Sequence, residues 1–466
     1  MTAIAVVVGN VIGSGIFLKP GNIAAEAGSF PLIIGVWLFG GALCILGALC
    51  FAELATMLPQ AGGIYVYLRQ AYGPLIAFLF GWTELFFVRP ASVGALSVAF
   101  AGSFLRMLDR PNAVTLQVTV SILLIILMTG INVAGVVWGG RVQLATTLIK
   151  VIFLLLIVLS PFVALPFLGW TVDAANYSST VVPRQTSLSG QIGVVLLSVM
   201  WAYNGWHAVT PLSEEIHNPQ RTIPISLLGG VGILIVLYVG ANIAYHGVMS
   251  MEEMKLAGDH AAEQLLQRLA GRAGQLTMSA VIMCSTFGAL NTDLLQAPRV
   301  TLAMGRDRTF FPVFARVHAG YRTPVIAIFL TSAMAICLIV AVNGAKLGVQ
   351  SLNPESLTSP LLQRIVGSLA DDSIFDLLTN FVIFAASVFY LLAVVALIIL
   401  RVKHPEWERP YRTWGYPIVP ILFIASYIWF LAQVYGSSPL ESRTGLLFIA
   451  AGIPIYFGFR RRWLAA

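Results

Sequence analysis

The chain has 466 residues, of which 58% are hydrophobic and 10% charged, with a mean hydropathy of +0.86. Soluble domains carry about a quarter charged residues, so a soluble globular enzyme is excluded. The formal charge of +7 is spread through short loops with no basic stripe interleaved with aromatics, which excludes nucleic acid as the partner.

At about 20 apolar residues per crossing plus a connection, this length accommodates roughly twelve transmembrane helices. Runs such as VIFLLLIVLSPFVALPFL are continuous rather than alternating, which argues against a β-barrel. Apolar runs punctuated by charge, proline and glycine predict an all-α polytopic membrane protein with spans near 2–27, 31–58, 73–105, 114–135, 142–166, 190–213, 223–247, 274–304, 324–343, 374–400, 415–435 and 443–460. The first run starts at Thr2 without a charged leader and passes straight into further spans, so it reads as a membrane helix and not a cleaved signal. Twelve spans put both termini on one side. With the N-terminus inside, 15 Lys and Arg fall in inner segments, Arg322 among them, against 9 in outer ones. The positive-inside rule therefore places both termini in the cytoplasm, with the chain in the cell membrane.

The outer loop 248–273 has helical periodicity and reads either as a surface helix capping the bundle or as a solvated connector. Loop 344–373 is polar, holds Pro354 and Pro360, and predicts short helical turns. Cys44, Cys50, Cys284 and Cys337 lie inside apolar runs and read as buried thiols, without disulfide or metal spacing. The six histidines sit at span ends or loops, again without metal spacing, and read as solvated or interface residues, so no metal or cofactor is expected. Asn176-Tyr177-Ser178 matches a glycosylation pattern at a frequency near chance.

Two spans are interrupted. In the first, VIGSGIF at 11–17 places Gly13 and Gly15 in a helix where each costs about 1 kcal/mol relative to alanine. Either the helix breaks there, leaving the N–H groups of Gly13, Ser14 and Gly15 to hold a carboxylate at a half-helix N-terminus, or Gly9 and Gly13 form a close packing face. In the sixth, WAYNGW at 201–206 places Asn204 and Gly205 inside an apolar, aromatic span. Ser14 and Gly205 are 191 residues apart and head two five-span halves, the pattern of an inverted-repeat transporter with its site at the midplane.

Charges within spans narrow the candidates. Lys150 has apolar helix on both sides, and a lysine at that depth costs about 3 kcal/mol, which marks it as functional over the alternative of snorkelling. Arg89 either lines the pathway or pairs with Glu84, pairing being the stronger reading. Asp293, with Asn291 beside it, faces either the site or Arg299, and both are possible pathway residues. Glu53 reads as structural.

VIGSGIF, FAELATMLPQAGGIYVYL at 51–68, RVQLATTLIKV at 141–151, WAYNGW with EEIHNPQRTIP at 214–224, and HPEWERPYR at 404–412 resemble the L-type amino-acid transporter family, the light chains of the heteromeric transporters in the amino acid–polyamine–organocation superfamily. The likeness runs in order along nearly the whole chain. It implies a LeuT-type 5+5 inverted repeat with spans 1 and 6 broken: a first repeat over 1–166, a second over 190–400, and two further spans over 415–460. It also implies a substrate site made of Val11, Ile12, Gly13, Ser14 and Gly15 with Trp201, Ala202 and Asn204. The substrate carboxylate would meet the Ser14 and Gly15 amides, and the ammonium the carbonyls of Val11, Trp201 and Asn204. Trp201 would be the gate closing from the outer side, or a core tryptophan if the likeness misleads. Lys150 would occupy the place of a sodium ion, bridging spans 1, 5 and 8.

The resulting expectation is sodium-independent exchange of L-amino acids, neutral ones given the uncharged Asn204, by alternating access. The alternative is a proton-coupled symporter or uniporter in which Lys150 titrates. A membrane enzyme finds no HExxH, Walker loop or nucleophile–base pair in the sequence. The loop 105–112 lacks the cysteine through which animal members bond a heavy chain, so no disulfide-linked partner is expected.

Overall fold

With no water in a bilayer core, backbone polar groups must be satisfied within the chain, and continuous apolar runs do this as helices. The computed structural model describes residues 2–134, 139–163, 172–185, 187–318, 320, 323–349, 352, 357 and 359–464. Among them there is no strand, only an isolated bridge between Ser29 and Thr180. The helices are α1 (Thr2–Val11), α2 (Gly15–Leu18), α3 (Pro20–Ala27), α4 (Phe30–Met57), α5 (Ile64–Tyr72), α6 (Pro74–Thr83), α7 (Arg89–Met107), α8 (Val114–Ala134) and α9 (Gly139–Val163). There follow α10 (Leu188–Ala202), α11 (Pro219–Val248), α12 (Met251–Ala257), α13 (Ala261–Arg306), α14 (Val325–Val349), α15 (Pro360–Asp371), α16 (Ile374–Lys403), α17 (Ile418–Ser437) and α18 (Pro439–Leu464).

Nine of the described helical stretches are long and apolar enough to cross a membrane. A tenth arises if Ala3–Leu18 and Pro20–Ala27, bent by 59° across Lys19, form one span; Thr146–Phe162 and Leu188–Ala202 are shorter apolar helices. Each of the twelve predicted segments holds one of these helices. Met1, residues 164–166 of the fifth segment, Arg322 and Pro354 lie outside the described residues.

Several local expectations meet specific structures. Loop 248–273 carries α12, whose N-terminus is closed by a capping box between Ser250 and Glu253. Met251 and Met254 bury against the bundle, so the segment is a cap and not a solvated connector. The loop after α14 holds α15, a longer helix than the turns predicted. Two groups of side chains depart from expectation. Cys337 is exposed on α14 and Cys284 half-buried, so only Cys44 and Cys50 are buried thiols. His207 and His246 are buried, because α11 and the turns after α10 run beneath aromatic rings that cover them.

Glu53, fully buried on α4, explains two of the sequence motifs together. Arg401 grips it from α16 with Nε at 2.8 Å and Nη2 at 2.5 Å, and the amide of Thr413 donates to it at 2.6 Å. Arg409 approaches at 3.5 Å while its other nitrogens donate to the carbonyls of His404 and Trp407. HPEWERPYR is thus folded around one carboxylate on a helix some 350 residues earlier in the chain. Removing one partner of a buried pair costs about 3–5 kcal/mol. Glu53→Ala should therefore lower the thermal unfolding midpoint in detergent markedly, and an unchanged midpoint would show that this clasp does not hold α4 to α16.

Candidate functional site

The first span breaks where its glycines stand. α1 ends at Val11, and the Gly13 amide closes a tight turn by donating to the Val11 carbonyl at 2.7 Å. The helical path resumes at Gly15, bends at Lys19 and continues from Pro20 to Ala27. At the restart the amides of Ser14, Gly15 and Ile16 have no backbone acceptor among the described residues. Gly13 was expected to contribute a free N–H; its donor is instead used in the turn that creates the break.

The sixth segment breaks as well. α10 stops at Ala202, residues 203–209 form turns, and Gly205 takes a φ of +90°, a conformation that glycine adopts without strain. The two breaks touch. A Cβ on Gly15 would lie 2.7 Å from the Cβ of Ala202, and one on Gly205 would run into the Asn10 carboxamide. At Gly15 only glycine permits this backbone approach, and at Gly205 the positive φ and the adjoining Asn10 side chain both favour it.

Neighbouring helices answer the polar groups that the breaks expose. The Tyr238 hydroxyl on α11 sits 3.1 Å from the Val11 carbonyl and 3.0 Å from that of Ala202, tying one break to the other. The Ser285 hydroxyl on α13 reaches the carbonyls of Ile12 and Gly13 at 3.2 and 3.1 Å, and Tyr245 donates to Ile16 at 3.2 Å. The Trp201 indole N–H donates to the Ser14 hydroxyl at 3.1 Å. Its ring meets Phe375 edge to face at 6.0 Å, and the Lys19 ammonium lies 4.9 Å from the centroid of that phenylalanine. Lys19, buried, pairs with Asp376 and donates to Thr379 at 2.8 Å.

Beneath Trp201 is a cavity of about 30 Å³, room for about one or two water molecules. Val11, Gly13, Ser14, Gly15, Trp201, Asn204 and Asp293 all line it, so seven of the predicted residues come together. Ile12 and Ala202 are buried behind the wall and contribute carbonyls to the bonds just described. The Val11 and Trp201 carbonyls accept local amides, from Gly13 and Asn204 respectively, and are less free than the sequence reading implied. Asn291 is not part of the lining: its side-chain oxygen accepts from Asn132 on α8 at 3.1 Å. Asn10, Ser92, Leu96 and Ala289 complete the wall and were not anticipated.

Lys150, fully buried on α9, donates to the Gly9 carbonyl on α1 at 3.0 Å, and its nitrogen lies beside Gly288 on α13. It therefore stands among the three helices expected of it and does not snorkel. Arg89 pairs with Glu84 at 3.0 Å and with Asp293 at 2.8 Å, so Asp293 turns to Arg89 and the cavity and not to Arg299.

Two larger cavities lie on either side. One, of about 730 Å³, includes Asn22, Arg184, Asp259, Asp372, Asp376 and Glu441 in its wall. Burial, and then the neighbouring Asp376 and Glu441 carboxylates, push Asp372 up to about 7. The other, about 360 Å³, is crossed by the pairs Arg69–Asp307 at 2.6 Å and Arg306–Glu214 at 3.8 Å. The missed residues had a signal only in part. Hydroxyls at Tyr238 and Tyr245, seven residues apart on one face of an apolar helix, and the cation Lys19 were visible, but their partners were not.

A helical bundle that holds two interrupted helices back to back around an interior cavity, between two larger vestibules, is a multi-pass membrane permease. The chain belongs to the amino acid permease family, whose model matches residues 1–459. It is 29% identical to the serine/threonine exchanger SteT of Bacillus subtilis over 99% of this chain and 96% of that protein. It is 30% identical to the rat b(0,+)-type amino acid transporter 1, over 99% of this chain and 88% of the relative. The human cystine/glutamate transporter is 27% identical over 98% and 84%.

Because the Gly15–Ala202 contact leaves no space for a methyl group, Gly15→Ala should force the two breaks apart. Overpacking of this kind costs about 1–3 kcal/mol. Transport should fall at least tenfold while the protein still elutes as a single species in detergent, and normal transport by this variant would contradict the close approach.

Proposed function

We propose that this chain exchanges neutral L-amino acids across the cell membrane by alternating access, without sodium. The observation that carries the reading is the contact of the two helix breaks, which leaves the Ser14 and Gly15 amides without backbone acceptors at the wall of an interior cavity. Backbone amides at a helix restart favour a carboxylate, and carbonyls at the facing ends favour an ammonium, so the pair of breaks suits a zwitterion. The printed names of the relatives, exchangers and transporters of amino acids, support it. In this reading twelve spans form a LeuT-type 5+5 repeat, over 1–166 and 190–400 with two spans over 415–460, and both termini are cytoplasmic. No disulfide-linked heavy chain is required.

Substrate entry from the proposed outer side requires the Trp201 ring to leave the Ser14 hydroxyl, since the cavity below is smaller than any amino acid. Trp201 then acts as a gate, and Phe375 with the Lys19–Asp376 pair lies directly beyond it. Trp201→Leu should raise the substrate KM or slow exchange several-fold without lowering expression. Normal exchange by a normally expressed Trp201→Leu protein would reduce the residue to a core tryptophan.

Lys150 puts its side-chain nitrogen between α1, α9 and α13, the place that in this reading a coupling cation would otherwise take. Uptake into proteoliposomes loaded with unlabelled amino acid should be unaffected by a sodium gradient. Lys150→Ala, which leaves the Gly9 carbonyl without this donor, should reduce exchange roughly tenfold or more. Stimulation by sodium would sink the role given to Lys150. Strong uptake into empty vesicles under an inward proton gradient would replace exchange with proton coupling.

A further inference from the structure

One part of the cavity wall has a chemistry of its own. It is formed by Ser92 on α7 and Asp293 on α13, with the uncharged amides Asn10 and Asn204 nearby. Asp293 is 6% exposed, and each of its oxygens is held. Arg89 Nη1 donates to Oδ1 at 2.8 Å, and the Ser92 hydroxyl donates to Oδ2 at 2.5 Å. Behind them Arg89 Nε donates to the Glu84 carboxylate at 3.0 Å. Two carboxyl groups thus share one guanidinium.

Geometry decides which member faces the substrate. Asp293 and Ser92 are in the cavity wall, whereas Arg89 and Glu84 stand behind it. A carboxylate oxygen has two lone-pair sites, so one donor each leaves Asp293 with acceptor capacity towards the cavity. The Ser92 hydroxyl donates its one hydrogen bond to Asp293, so it too presents an acceptor. Leu96 and Ala289 add only apolar surface.

We infer that Asp293 is the specificity-determining residue of this site: it accepts a hydrogen bond from an O–H or N–H donor on the substrate side chain and repels a side-chain carboxylate. Arg89 and Ser92 are positioning residues that fix the carboxylate in place. The inference rests on the exchange reading above and adds the substrate class to it. An aliphatic side chain brought against this wall would displace water from the carboxylate without offering it a further donor, and a site built to bond a polar group discriminates against analogues lacking it. Acidic side chains bring like charge to a desolvated anion.

Near-isosteric substrate pairs test this on the unmodified protein. Full-length chain in proteoliposomes preloaded with L-threonine is assayed for exchange with external L-threonine or L-valine, which differ by a hydroxyl for a methyl, and with L-asparagine or L-aspartate, which differ in charge. L-threonine should exceed L-valine in kcat/KM by roughly tenfold, and L-asparagine should compete where L-aspartate does not. An L-lysine arm distinguishes a cationic donor from a neutral one. In Asp293→Asn and Asp293→Ala the L-threonine to L-valine ratio should shrink towards unity, and L-aspartate should begin to compete. Wild-type protein that treats threonine and valine alike, or that accepts L-aspartate, overturns the inference, as does an unchanged ranking in both variants. If no amino acid is exchanged by the wild type, it is the exchange reading that fails.

Discussion

The close approach of the Gly15 backbone to Ala202 is the contact on which the rest of the site depends. Two helices that must each be interrupted would normally leave buried amides and carbonyls unsatisfied, at a cost of several kcal/mol per group in hydrocarbon. Bringing the breaks together confines those groups to one small region, where a single hydroxyl, that of Tyr238, serves carbonyls of both. The same approach sets the Trp201 indole over Ser14. A larger residue at position 15 would therefore displace the Trp201 indole as well as the Ser14 and Gly15 amides.

The first span is held to its surroundings in an unusual way for a helix. Its carbonyls at Gly9, Ile12, Gly13 and Ile16 accept from side chains of α9, α11 and α13 in addition to, or in place of, their own helix. A helix interior is cooperative and changes as a unit, whereas side-chain bonds of this kind are each worth about 0.5–1.5 kcal/mol net and can be exchanged individually. A broken span tied by such bonds can shift without unfolding, which the proposed alternating access requires of it.

How much of this was legible in the sequence depends on whether a residue declares its cost locally. Gly13 and Gly15 in one span, and Asn204 with Gly205 in another, are expensive where they stand, so both breaks could be placed from the sequence. Lys150 was legible for the same reason, being a charge in the middle of an apolar run. Partners across the fold were not legible, because Tyr238, Ser285 and Phe375 are ordinary residues in apolar helices whose roles come only from packing against residues more than a hundred positions away. The pairing of Asp293 with Arg89 and not Arg299 belongs to the same class: sequence proximity favoured one arginine and the helix packing chose the other. Asn291, two residues before Asp293, stands outside the cavity wall because its side chain turns to Asn132 on α8. Cys337 failed because an apolar run shows that a helix is in the membrane but not which face of it meets other helices.

The two vestibules are closed by unequal means. Lys19, 1% exposed, pairs with Asp376 between the first span and α16, and Thr379 and Phe375 complete its surroundings. On the opposite side Arg69 and Arg306 pair with Asp307 and Glu214 while 42% and 57% exposed. Exposed ion pairs contribute about 0–1 kcal/mol and are screened by salt, whereas separating a desolvated pair leaves charges that the interior does not tolerate. Water must therefore reach Lys19 and Asp376 before they part, and the 730 Å³ vestibule with Asp376 in its wall supplies that access from one direction. Of the two closures, the one beside Trp201 holds the more deeply buried ion pair, and the Trp201 ring and that pair meet through the Phe375 ring that lies against both.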